Sequence, residues 1–180
     1  MKIFSRFIAL SLAFVAFSTS NVGAQGLSNG TSALAEQVNK KILRLPYYEV
    51  YDHIGFRLDG TTVILTGKVR NAVNRADAEA SVERIEGVSK VINEIEILSP
   101  SRFDDDIRRN LFARLSNAGG LSSYLWPVNP DVRLIVDRGN ITLEGTVRHR
   151  GDLNMMNIVA RGVPGSFNVT NNLTIENERP

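Results

Sequence analysis

Asp59-Gly60-Thr61-Thr62-Val63-Ile64-Leu65-Thr66-Gly67-Lys68-Val69 recurs in the same chain as Asp137-Arg138-Gly139-Asn140-Ile141-Thr142-Leu143-Glu144-Gly145-Thr146-Val147. In both copies an acidic residue and a glycine mark a turn. Val or Ile, Leu and Val then fall at every second position, with a Gly before the last. That pattern predicts a β-hairpin whose returning strand has one buried face. The offset of 78 (137 − 59) holds without a gap through Gly87 and Gly165, Val91 and Val169, Asn93 and Asn171, to Ile97 and Ile175. A register held that far means that one supersecondary unit was copied.

With 180 residues the chain has room for one medium or two small domains, and the repeat decides for two. Each copy has a thin core, since a unit of this size buries only about 60% of the surface its unfolded chain exposes. Lys2 and Arg6 precede an apolar run over 7–17, and small residues lead to Val22-Gly23-Ala24. This reads as a secretory signal peptide over 1–24, cleaved after Ala24. Its apolar run falls short of the roughly 20 residues that span a bilayer. The leader carries two basic residues and no acid, so 21 − 2 leaves 19 Lys+Arg against 19 Asp+Glu. The mature chain is therefore close to neutral, and its charge does not support nucleic acid as a partner. Without any cysteine there is neither a disulfide nor a lipid-modified cysteine, so a periplasmic protein that is not a lipoprotein is expected.

Residues 25–31 are small and polar and read as a disordered start. Ser32 is placed to cap a helix with Leu34, Val38, Ile42 and Leu45 on one face, ended by Pro46. An aromatic connection over 47–51 leads to a strand alternating through Ile54, Phe56 and Leu58, and the hairpin returns through Val63, Leu65 and Val69. Asn71 or Asn74 can cap a second helix with Ala78, Val82 and Ile85 inward, Gly87 suits its C-terminal cap, and a third strand runs over 91–98. The second and third strands, joined through a helix, should be parallel with a right-handed crossover. The first unit thus spans 32–98, a linker 99–101, the second unit 102–176 and a tail 177–180. In the second unit Ser101 and Asp104 form a capping-box signal, and Phe103, Ile107 and Leu111 repeat Leu34, Val38 and Ile42 at an offset of 69. The difference, 78 − 69, places nine extra residues before the next strand, in a turn-rich segment over 116–127 that holds the only tryptophan.

These features resemble the BON domain, with Val63-x-Leu65-x-Gly67-x-Val69 and Gly87-Val88-x-x-Val91-x-Asn93-x-Ile95 answered by Ile141-x-Leu143-x-Gly145-x-Val147 and Gly165-x-x-x-Val169-x-Asn171-x-Leu173. The chain is similar to tandem BON envelope proteins of the osmotically inducible periplasmic protein Y type. The resemblance implies an α+β fold of two tandem α-β-β-α-β units, each a small mixed sheet covered by two helices on one face. It also implies association with phospholipid surfaces. Arg138-Gly139 in place of a simple Asp-Gly turn, and Ser166 in place of valine, depart from the pattern.

The inventory for catalysis is poor: His53 and His149 occupy different places in the repeat and read as surface or edge residues. Asp104-Asp105-Asp106 is explained by the dipole of the helix it opens, so no metal is expected, and no motif implies a cofactor. Gly67, Gly145, Gly87 and Gly165 read as structural, as do Asn93 and Asn171, which are expected to hydrogen-bond backbone. In the second helix of the second copy, Leu153, Met156, Val159, Ala160 and Val163 form the core arc, while Met155 and Ile158 fall outside it. Their counterparts in the first copy are Asp77 and Ala80. With Arg148, Arg150 and Arg161 nearby, Met155 and Ile158 are the candidate lipid contact, or else they pack against the first copy. Tyr124, Leu125 and Trp126 are a second candidate. The expected function is non-enzymatic attachment to an anionic phospholipid membrane surface in support of envelope integrity and stress tolerance. The alternative is a protein-interaction or chaperone-like module for envelope proteins.

Overall fold

A computed structural model describes residues 23–176, with side chains from residue 30 onward. The leader falls almost wholly outside the described residues, as does the tail over 177–180. The first unit comprises α1 (Gly23–Ile42), β1 (His53–Asp59), β2 (Thr62–Val69), α2 (Ala72–Glu83), β3 (Lys90–Asn93) and β4 (Glu96–Ile97). The second comprises α3 (Arg102–Asn117), a 3-10 helix (Leu121–Leu125), β5 (Val132–Asp137), β6 (Asn140–Val147), α4 (Arg150–Arg161) and β7 (Asn168–Ile175). In both units the first two strands are antiparallel and the last pairs parallel with the second, giving two small mixed sheets.

Two details of the first unit differ from the sequence expectation. Helix α1 begins at Gly23, so Ser32 lies inside it and residues 25–31 are helical rather than disordered. Once 32–42 is nucleated, each added residue gains a hydrogen bond without a new nucleation cost, and weak helix formers can follow. The third strand is split at Glu94 and Ile95 into β3 and β4, both in one register on β2 (Leu65 opposite Asn93, Lys68 opposite Glu96). At the break the Asn93 carboxamide accepts from Ile95 N at 3.2 Å, while Glu94 N keeps its bond to Leu65 O at 2.8 Å.

The hairpin turns are built differently. In the first, Gly60 alone has a positive φ (58°), as a type II′ turn needs. In the second, Arg138 (φ 50°) and Gly139 (φ 76°) are both left-handed, as type I′ needs. An arginine there is strained, and the buried Asp104 carboxylate holds it by accepting from Arg138 N at 3.0 Å and Gly139 N at 2.8 Å. Asp104 N is itself bonded to the Ser101 hydroxyl, which caps α3 at 3.2 Å.

Gly67 and Gly145 have φ of 114° and 121°. What constrains them is the neighbouring strand and not a covering helix. A Cβ at Gly67 would lie 2.1 Å from the His53 carbonyl oxygen, and one at Gly145 2.0 Å from that of Asp131. The obstacle is the backbone of the neighbouring strand, which cannot yield without breaking its ladder.

Helices α1 and α2 cover the first sheet with Val38, Ile42, Ala78 and Val82, and α3 and α4 cover the second with Ile107, Leu111, Leu115, Met156 and Ala160, all buried. The aromatic connection joins the units. The Val50 carbonyl accepts from Leu134 N at 2.7 Å, so the outer edge of β5 is taken by the first unit. Val50 and Tyr51 pack on the second core, Tyr51 meets Phe112 edge-on with ring centroids 6.3 Å apart, and the Arg133 guanidinium lies 4.0 Å over the Tyr48 ring. Asp52, buried, folds this connection by accepting from Arg70 N (2.7 Å), Glu49 N (3.2 Å) and Asn74 Nδ2 (2.9 Å). Asn71 is therefore the cap of α2, and Asn74 serves the connection. Across the seam Lys68 pairs with Asp137 at 2.6 Å and Arg70 with Asp105 at 3.3 Å.

Gly67→Ala is expected to destabilise its unit by roughly 2–4 kcal/mol, combining left-handed strain with overlap on backbone. Removing the two charge-assisted bonds in Asp104→Ala should cost the second unit about 2–3 kcal/mol. Denaturant titration followed by circular dichroism measures both.

Acid should loosen the seam. Burial is the main cause holding the His53 imidazole below its ordinary range, with Arg133 adding to it and Glu144 opposing. The unfolded chain then binds the proton first, so stability falls as pH drops through the ordinary histidine value of about 6.5. The bond from Lys68 lowers Asp137, whose contribution persists until pH falls through the carboxylate range below about 4. Melting temperature should decline from about pH 7 to 5, and His53→Gln should flatten that decline.

Candidate functional site

Helix α4 is strongly two-sided. Met156, Ala160 and Val163 are buried and Leu153 and Val159 pack on the same core, which leaves Met155 (47% exposed) and Ile158 (63% exposed) on the outer face. They do not pack against the first unit, whose contact with the second runs through β5, Phe112 and Asp105. Ile158 borders a shallow groove between α3 and α4 with Ala113, Arg114, Asn117 and Gly162. Arg148, Arg150 and Arg161 are exposed around the helix. At the matching positions of α2, Asp77 and Ala80 are half-buried, so the outward apolar pair belongs to the second unit.

Tyr124 and Leu125, read as surface candidates, are instead core residues, each 3% exposed. The 3-10 helix turns them inward because it packs between α3 and β5. The Tyr124 hydroxyl donates to Asp152 Oδ2 at 2.6 Å and accepts from Arg148 N at 3.1 Å, and the Arg148 guanidinium lies 5.1 Å over its ring. Burial, and then the bond to Asp152, push the phenol above its usual range, so it remains the donor. Trp126 stays outside at 67% exposure, beside Val128 at 72%.

Asn93 and Asn171 bridge strand and helix: Asn93 Nδ2 donates to Arg75 O at 3.0 Å, and Asn171 Nδ2 to Leu153 O at 3.4 Å while its Oδ1 accepts from Leu173 N. Gly87 (φ 92°) and Gly165 (φ 84°) take the left-handed conformation, but Gly87 is not the cap expected of it, since α2 is capped by Arg84 and α4 by Gly162 and the glycines turn the chain beyond those caps. Phe103, placed by periodicity on the core face, is 47% exposed and lies against Phe167 (75% exposed), ring centroids 5.8 Å apart. The two rings cover Gly139 and Gly165, a place too shallow to bury them. Comparing the copies would have exposed this pair and Asp104, since the first copy has Leu34, Ser89 and Ala35 there. Among the described residues no group of three potential metal ligands converges, and no helix is long and apolar enough to cross a membrane.

No curated protein matches the chain. Among solved structures it is similar to the C-terminal domain of CdsD, the structural protein of the type III secretion system of Chlamydia trachomatis, at 11% identity and a TM-score of 0.31, covering 78% of this chain and 96% of that one. A second CdsD structure aligns at 12% identity and a TM-score of 0.29, covering 79% and 92%. The family model described as "BON domain" matches twice, over residues 31–99 and 103–177. Those two matches take in both structural units, and the chain belongs to the BON domain family as a tandem pair.

Proposed function

We propose that this is a non-enzymatic periplasmic protein, similar to the osmotically inducible periplasmic protein Y type, that attaches reversibly to anionic phospholipid surfaces and supports the envelope under stress. The carrying observation is the outward pair Met155 and Ile158, set among arginines on a helix whose other face is fully used by the core. The association of BON domains with phospholipids supports it. Shallow insertion of both side chains contributes about 2–4 kcal/mol, a discount on the roughly 3–6 kcal/mol that two fully buried side chains would give at 1.5–3 kcal/mol each. Each arginine at an anionic surface adds about 1 kcal/mol, lost as salt rises. Neither contribution alone holds a protein on a membrane, and together they give attachment that reverses.

Co-sedimentation with phosphatidylcholine vesicles containing phosphatidylglycerol tests this. Met155→Asp with Ile158→Asp should abolish sedimentation and leave the melting temperature nearly unchanged, because both side chains point outward. Arg150→Ala with Arg161→Ala should weaken binding mainly at low salt, and Ala80→Asp in the first unit should matter little. Undiminished sedimentation of the double aspartate variant would sink the assignment of this face. A wild-type protein that ignores vesicles yet saturates on an envelope protein would favour the protein-interaction reading.

A further inference from the structure

The insertion of the second copy gives Leu121, Tyr124 and Leu125 to the core, yet the chain after its 3-10 helix carries two of the most exposed apolar side chains, Trp126 and Val128. An indole held in water at 67% exposure calls for a partner that suits a ring with one polar edge, and a membrane interface is such a place. The loop is also fastened to the α4 surface. Tyr124, two residues before Trp126, bonds both Arg148 N and Asp152 at the start of α4 and carries the Arg148 guanidinium over its ring. Arg148 therefore lies where the loop's base meets the start of α4. On the far side Asn129 borders a cleft with Lys40 of α1 and Arg44 just beyond it, in which Glu36 is the acid, and Asp131 follows in the loop.

We propose that loop 126–129 is a second insertion point of the same phospholipid-binding surface, with the Trp126 indole seated at the boundary of headgroups and acyl chains and Arg148 paired to phosphate between the loop and α4. The proposal rests on the lipid reading above and extends it: attachment has two apolar anchors on a rigid frame, so the second binds at the high effective concentration set by the first. It also gives the exposed end of the insertion a purpose, since a two-anchor contact fixes how the protein stands on the surface.

Trp126 is the only tryptophan, so its fluorescence reports on this loop alone. The chain from Gln25 onward is titrated with vesicles of phosphatidylcholine and phosphatidylglycerol, with and without brominated acyl chains, and sedimentation is followed in parallel. Expected are a blue shift on binding, quenching by the brominated lipid and shielding from aqueous iodide. Trp126→Ala, which removes an exposed side chain, should weaken sedimentation roughly tenfold, the lower end of what burying a large apolar group is worth. Sedimentation without shift or quenching, or with Trp126→Ala binding as well as wild type, overturns the second anchor and leaves the α4 reading standing. Absence of sedimentation overturns both.

Discussion

One backbone hydrogen bond, from Leu134 N to the Val50 carbonyl, decides which surfaces this protein can offer. It commits the outer edge of β5 to the first unit, and the tyrosines around it close the seam. An open strand edge is a hazard for pairing with other chains, and here the segment that links helix to strand in the first unit blocks it. With β5 committed, and α3 engaged through Phe112 and Asp105, the outer face of α4 stays free. The outward position of Met155 and Ile158 is thus a consequence of how the two units meet as much as of helical spacing.

Duplication supplied two copies of one frame, and the copies diverge where a change in one element is answered in another. The type I′ turn at Arg138 and Gly139 comes with Asp104 on α3, whereas the type II′ turn at Gly60 comes with Ala35. A buried carboxylate with no donors would be costly, and a left-handed arginine without support would be strained, so the two features are stable only together. Similarly, both copies have a glycine at the positive-φ position beside the first strand, where the neighbouring carbonyl leaves no room for a Cβ.

Periodicity reads burial well where a helix or strand has one wide apolar face, and the faces of α1, α2 and α4 are legible residue by residue. It fails at Phe103, where the repeat of Leu34 falls at a helix end with only two turn glycines beneath it. It fails again at Tyr124 and Leu125, because a short 3-10 helix within an insertion has no period long enough to show its inner face. The start of α1 was illegible for a different reason: glycine, serine and asparagine announce a cap or a loop, but propagation from an established helix outweighs local preference. Of the candidate site, the pair on α4 was readable from the difference between copies. Its freedom from the first unit was not, since that depends on contacts between residues far apart in sequence, Val50 with Leu134 and Lys68 with Asp137.

The balance of charge constrains how such a surface can work. With the expected leader the chain carries 21 basic and 19 acidic side chains and without it 19 of each, so in either form its net charge is too small to draw it from afar to an anionic membrane. Much of the acid in the second unit is already engaged: Asp104 holds a turn, Asp105 binds Arg108 and Arg70, Asp137 binds Lys68, and Asp152 binds Tyr124. The arginines around α4 share that surface with Asp152, and their reach is limited to about one Debye length, roughly 8 Å at physiological salt. At that range electrostatics can hold a protein that is already in contact but cannot bring it there. Apolar side chains must therefore be on the same face as the arginines, and within a few ångströms of the headgroups, for either contribution to count.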